Sequence, residues 1–96
     1  VAIVMKDLER CFKQAKRQGA CYIGVVIEMD GFEKPEVIVN SYENFQSKLE
    51  YYRKTYDEDC NHKYSKGIKL IACNYAFEFN QLEEDFIYIL NNIERR

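Results

Sequence analysis

The stretch at residues 20–29, Ala-Cys-Tyr-Ile-Gly-Val-Val-Ile-Glu-Met, constrains the fold more than any other part of the chain. It is short and β-branched, which predicts a strand whose side chains alternate across the pleat. Cys21, Ile23, Val25 and Ile27 fall on one side, Tyr22 and Val26 on the other, so both faces are apolar. A strand of that kind needs cover on both sides. With 96 residues the chain has room for one domain, 1–96, and one modest core to provide that cover. Val1 to Val4 read as residues preceding a natural start at Met5.

Helical signals flank the strand. Met5, Leu8, Cys11, Phe12 and Ala15 recur at i, i+3, i+4 spacing, and Gly19 fits a C-cap. Asp30-Gly31 marks a turn, Pro35 blocks an early ladder bond, and 36–39 predicts a short antiparallel second strand. Asn40 and Glu43 fit a capping box opening a second helix. Its seam, Tyr42, Phe45, Leu49, Tyr52 and Tyr56, steps by three and four.

A polar loop follows to Gly67, then a third strand over 68–79. Alternation puts Ile71, Cys73, Tyr75, Phe77 and Phe79 on one face and Ile68, Leu70, Ala72 and Ala76 on the other. Asn80 and Glu83 repeat the cap, and a last helix buries Leu82, Phe86, Ile89, Leu90 and Ile93. The order α-β-β-α-β-α predicts an α/β (α+β) fold. Strands two and three, joined through a helix, are expected to form a parallel, right-handed crossover, giving a mixed three-stranded sheet with packed helices.

Composition narrows function by exclusion. At 47% hydrophobic and 31% charged, the chain is neither disordered nor collagen-like. Fourteen bases against sixteen acids argue against a protein that coats DNA. The longest apolar run, 20–27, is far shorter than the ~20 residues a membrane span needs, so no membrane partner is expected. Residues 1–5 are too brief for a signal peptide, and the expected location is the cytoplasm.

The four cysteines contain no C-x-x-C pair. Cys11, Cys21 and Cys73 lie on apolar faces and read as buried thiols; Cys60 lies in the polar loop, two residues before His62. A zinc site would need two further ligands beside that unit, and neither metal nor cofactor is expected. Residues 57–62 begin like a calcium loop but place His62 where glycine is required and Ile68 where a glutamate is required. Cys60 and His62 are too close in sequence to face each other as nucleophile and base. No phosphate-binding or nucleophile-elbow motif is present, so the chain reads as non-enzymatic, with no catalytic residues.

Two surface features carry the binding expectations. At ~100° per residue, Lys6, Arg10, Lys13 and Arg17 share ~60° of arc opposite the apolar stripe of the first helix, a candidate nucleic-acid contact. No aromatic interleaves that stripe to stack on bases, and a solvated face of an amphipathic helix is the better reading of it. Eight Tyr and six Phe exceed what so small a core requires. Tyr51 lies off the second-helix seam, Tyr64 sits in the polar loop, and Tyr75, Phe77 and Phe79 need more cover than one helix provides. These five are the candidate protein interface.

Lys48-Leu49-Glu50-Tyr51-Tyr52-Arg53-Lys54-Thr55-Tyr56-Asp57-Glu58-Asp59, followed by Lys66-Gly67-Ile68-Lys69, resembles small uncharacterised proteins of prophages and mobile elements in Gram-positive bacteria. In those, K-L-x-Y-Y-x-x-x-Y-[DN]-[DE]-[DN] precedes a G-I-K strand. Ile23-Gly24-Val25 and Glu36-Val37-Ile38-Val39-Asn40 are similar too, so the likeness covers residues 6 to 90. It carries no established activity and no catalytic residues. Where that family has less aromatic, glycine-containing third strands, this chain has Asn74-Tyr75-Ala76-Phe77.

The leading expectation is a non-enzymatic protein–protein interaction module that forms a homodimer and binds a protein partner as yet unknown. The alternatives are a nucleic-acid-associated regulator using the first helix or, as the mobile-element resemblance alone implies, a small antagonist of a host protein. The antagonist would mimic phosphate with Asp57, Glu58, Asp59, Glu83, Glu84 and Asp85.

Overall fold

A computed structural model describes residues 3–84. Helix α1, Met5–Gln18, begins where the Asp7 carboxylate accepts the Val4 backbone N–H at 3.0 Å. It ends at Gly19, whose φ of 74° is the left-handed conformation a C-terminal cap requires. Gly19 N–H donates to Lys16 O and Ala20 N–H to Ala15 O, which satisfies two of the helix's last carbonyls in a Schellman pattern.

Strand β1, Tyr22–Met29, follows, then β2, Glu36–Ser41, two residues longer than its sequence pattern suggested. Asn40 therefore lies in β2 and opens no helix. Glu43 instead accepts a hydrogen bond from Ser41 Oγ at 2.9 Å, and a 3-10 turn, Tyr42–Asn44, leads into helix α2, Phe45–Thr55. Strand β3, Ile68–Ala76, ends three residues earlier than expected, leaving Phe77 and Phe79 beyond the sheet. The chain is helical again over 79–84, here called α3. Asn80 is thus inside the helix rather than its cap, and Gln81 Oε1 accepts the N–H groups of Phe77 and Glu78.

The sheet order is β2-β1-β3, with β1 antiparallel to both neighbours. This corrects the expected mixed sheet. β2 and β3 do run the same way, but they flank β1 and share no hydrogen bonds, because the connection through α2 crosses to the far side of β1. The most apolar strand thereby gains partners on both edges.

On the front face, Ile23, Val25, Ile27 and Leu70 pack with Leu8, Phe12 and Ala15 of α1 and with Phe45 and Tyr52 of α2. On the back, Val26, Ile71 and Ala76 pack with Leu82 of α3. Burying each such aliphatic side chain stabilises the fold by ~1.5–3 kcal/mol. Both faces of β1 are thus covered, as its sequence demands. The expectations for Asp85, Phe86, Ile89, Leu90 and Ile93 lie outside the described residues.

Strand β3 departs from simple alternation. Its register on β1 shifts between Val26, opposite Ala72, and Ile27, opposite Leu70, so Ile71 is an extra residue. Ile71 and Ala72 both face the back, and the phase reverses around them: Ile68 and Leu70 share the front with Cys73 and Tyr75.

Candidate interaction surfaces

The five aromatic candidates do not form one patch. Tyr75 is half-buried against the front core, and its N–H is held by Asn74 Oδ1 at 2.9 Å. Tyr51, 48% exposed, lies on α2 with Lys48 Nζ 4.7 Å from its ring centroid. Tyr64, 78% exposed, sits at the far end of the loop, where its N–H donates to His62 Nδ1. Phe77 and Phe79, 52% and 56% exposed, follow the end of β3, beside the start of β1. The Phe79 ring meets Tyr22 edge-on, with centroids 5.8 Å apart. Two exposed aromatics escaped the sequence reading. Phe32 lies in the β1–β2 turn, and Tyr42 is lifted out of the expected helix seam by the 3-10 turn.

A second connection was invisible in one dimension. From Tyr42 the rings of Phe45, Phe12, Tyr52, Tyr56, His62 and Tyr64 meet edge-on in sequence, each pair 5.1–6.2 Å apart. Edge-to-face pairs at that separation are worth ~0.5–1.5 kcal/mol each beyond the area they bury, so this run ties α1, α2 and the loop together.

The basic stripe of α1 is exposed along its length, as expected. Packing of α2 beside α1 turns part of it into the wall of a groove of about 710 Å³. Lys6, Arg10 and Lys13 line it together with Lys16 and Arg53, over a floor that includes Phe12, Phe45 and Leu49. Arg17 is not part of the lining. Arg53, which the helical arc of α1 could not have revealed, is held by Glu9 at 2.7 Å, and Arg10 lies 3.6 Å from Asp7.

The loop at 56–67 folds back on its own backbone. Asp57 Oδ1 accepts the N–H groups of Asp59 and Asn61, and Cys60 O and His62 N–H bond to Leu70 and Ile68 of β3. Asp57 is thus occupied in shaping a turn. Cys60, at φ 62°, swings its thiol inward and is fully buried, while Cys21, just before β1, is exposed. The expected roles of these two cysteines are therefore exchanged. A left-handed turn aims Cys60 at the core, and β1 starts one residue too late to enclose Cys21.

Burial pushes the Cys60 thiol up to about 11, with Asp57, Asp7 and Asp59 adding to the rise. The same cause raises Tyr52, whose hydroxyl is buried with no hydrogen-bond partner among the described residues. Cys11 behaves oppositely. Its sulfur lies 2.8 Å from that of Cys73, and the hydrogen bond from Cys73 holds it below the ordinary thiol value, while burial raises Cys73 well above it.

Among the described residues, no cluster of three or more His, Cys, Asp or Glu is placed to hold a metal ion, and no helix is long and apolar enough to cross a membrane. No family model, curated protein or solved structure matches this chain.

Proposed function

We propose that the protein is a non-enzymatic interaction module that self-associates through the aromatic end of its sheet. The observation that carries this is the exposure of Phe77 and Phe79, each more than half open to water in the short segment after β3, with Phe79 braced on Tyr22. Large rings left in water are a standing driving force for association. A two-fold interface presents the same patch from both copies, so four rings are buried at once. At ~1.5–3 kcal/mol per fully buried ring, and with about half of each ring already covered, this is roughly 3–6 kcal/mol gross, which the loss of translational and rotational freedom largely offsets, so the dimer is weak and concentration-dependent. Four free thiols suit a reducing compartment, and the cytoplasm is the proposed location.

Sedimentation velocity across ~1–100 µM tests the reading. The wild type should pass from monomer to dimer, and the double variant Phe77→Ser/Phe79→Ser should stay monomeric with an unchanged circular dichroism spectrum. A wild type that remains monomeric at the upper concentration would overturn it.

The α1–α2 groove supports a second reading, a contact for an anionic partner such as nucleic acid, through Lys6, Arg10 and Lys13. Internal ion pairs already engage Arg10 and Arg53, which weakens it. If it holds, Arg10→Glu with Lys13→Glu abolishes binding to generic duplex DNA or RNA, and wild-type affinity falls steeply with salt.

A further inference from the structure

Cys11 on α1 and Cys73 on β3 are 62 positions apart in sequence, yet their sulfurs stand 2.8 Å apart. A disulfide bond is ~2.05 Å long, so less than ~1 Å of movement separates this contact from a covalent link. Both residues keep some exposure, with the Cys73 thiol the more deeply buried of the two. The other two thiols are built differently. Cys60 is fully enclosed, and Cys21 is exposed.

We propose that Cys11 and Cys73 form a reversible thiol–disulfide site that low-molecular-weight disulfides oxidise. The Cys11 thiolate attacks one sulfur of the oxidant RS–SR, the S–S bond breaks, and RS⁻ departs, leaving Cys11 in a mixed disulfide. Cys73 then gives up its proton and attacks Cys11 Sγ. The Cys11–Cys73 bond forms, and the second RS⁻ leaves. Both departing thiolates take up protons, so two protein thiols lose two electrons and RS–SR becomes two RSH. Cys11 is the attacking sulfur because the Cys73 thiol donates to it and stabilises its ionised form. The product pins α1 to β3 and closes a loop of 62 residues, a constraint on the unfolded chain.

The test is incubation of the intact protein with excess oxidised glutathione, followed by alkylation in denaturant and non-reducing peptide mapping. Of four alkylatable thiols, two should be lost, with the linked peptides containing Cys11 and Cys73 and the protein still a monomer on a non-reducing gel. The oxidised form should melt about 10 °C higher than the reduced one, and reductant should reverse the gain. Cys11→Ser should abolish both changes, whereas Cys21→Ser should keep both. Four thiols retained, a link to Cys21 or Cys60 instead, or a covalent dimer would each overturn the proposal.

Discussion

A Cβ added at Gly67, where φ is +81°, would stand 2.5 Å from Asp30 Oδ2 and 2.9 Å from Asp30 Cβ, while at Gly19, φ +74°, it would meet nothing within 4 Å. Both substitutions strain a left-handed backbone, and only one also forces a collision. Gly19→Ala should therefore cost about 1 kcal/mol and Gly67→Ala about 2–3 kcal/mol, read from urea-denaturation midpoints. Tyr52 gives a prediction of the opposite kind. Its buried hydroxyl has no partner among the described residues, so Tyr52→Phe should change stability by less than about 1 kcal/mol, where Tyr52→Ala should cost about 3–5 kcal/mol. The cysteines separate by protonation. With Cys60 pushed up to about 11 and Cys11 held below its ordinary value, Cys11 should react with iodoacetamide at pH 8 at least ~10-fold faster than Cys60. Because the folded state favours the neutral thiol of Cys60, its contribution to stability is full below pH 9.0 and is lost as pH rises through about 11. Gly19 as a cap and Tyr52 on the buried seam were legible from residue type, and the environment of Cys60 was not. Cys60 sits in as polar a neighbourhood of sequence as the chain offers, and only a positive φ brings it inside.

The elements were legible where one face of a periodic segment is uniformly apolar, as in α1, β1 and the seam of α2. Two kinds of information were not. Strand order depends on which side of β1 the chain returns to after α2, and no local pattern records that choice. The faces of β3 depend on one unpaired residue, and alternation alone assigned Ile71 and Cys73 to the same side although they lie on opposite ones. Because side chains alternate with a period of two, the extra residue decides which half of the strand sees which core. Deleting Ile71 should therefore leave the faces as they are: Leu70, Ala72 and Cys73 then follow in plain alternation, with Ile68, Leu70, Cys73 and Tyr75 still toward α1. Ile71→Val should cost about 1 kcal/mol, and the deletion about 2–5 kcal/mol for the lost back-face side chain, with the cooperative thermal transition followed by circular dichroism retained.

For the whole molecule, the question is which surface a second copy can use. A sheet of three strands has two edges, and an open edge invites strand addition. The outer side of β3 is largely closed by its own chain. Ile68 O and Leu70 N–H bond to His62 and Cys60 of the loop. Ala76 O accepts from Cys21 on the β1 side, so alternation turns the Tyr75 N–H outward, where Asn74 Oδ1 holds it. Association through that edge would have to break these bonds, whereas association through Phe77 and Phe79 breaks none of them. The two routes differ in what a melting curve reports. Docking of finished surfaces binds only the native state, so the melting temperature should rise with protein concentration, by RT ln(1 + [L]/Kd) in free energy. Phe77→Ser/Phe79→Ser should flatten that dependence and, at high dilution, lower the melting temperature only by the lost Tyr22–Phe79 contact, about 0.5–1.5 kcal/mol, since neither ring is part of the core clusters. With a net charge of only −2, the dependence should also survive 0.5 M salt, a concentration at which the Debye length is only about 4 Å and an interface held by surface charge would have loosened. A melting temperature indifferent to concentration would leave the exposed rings without the role proposed for them.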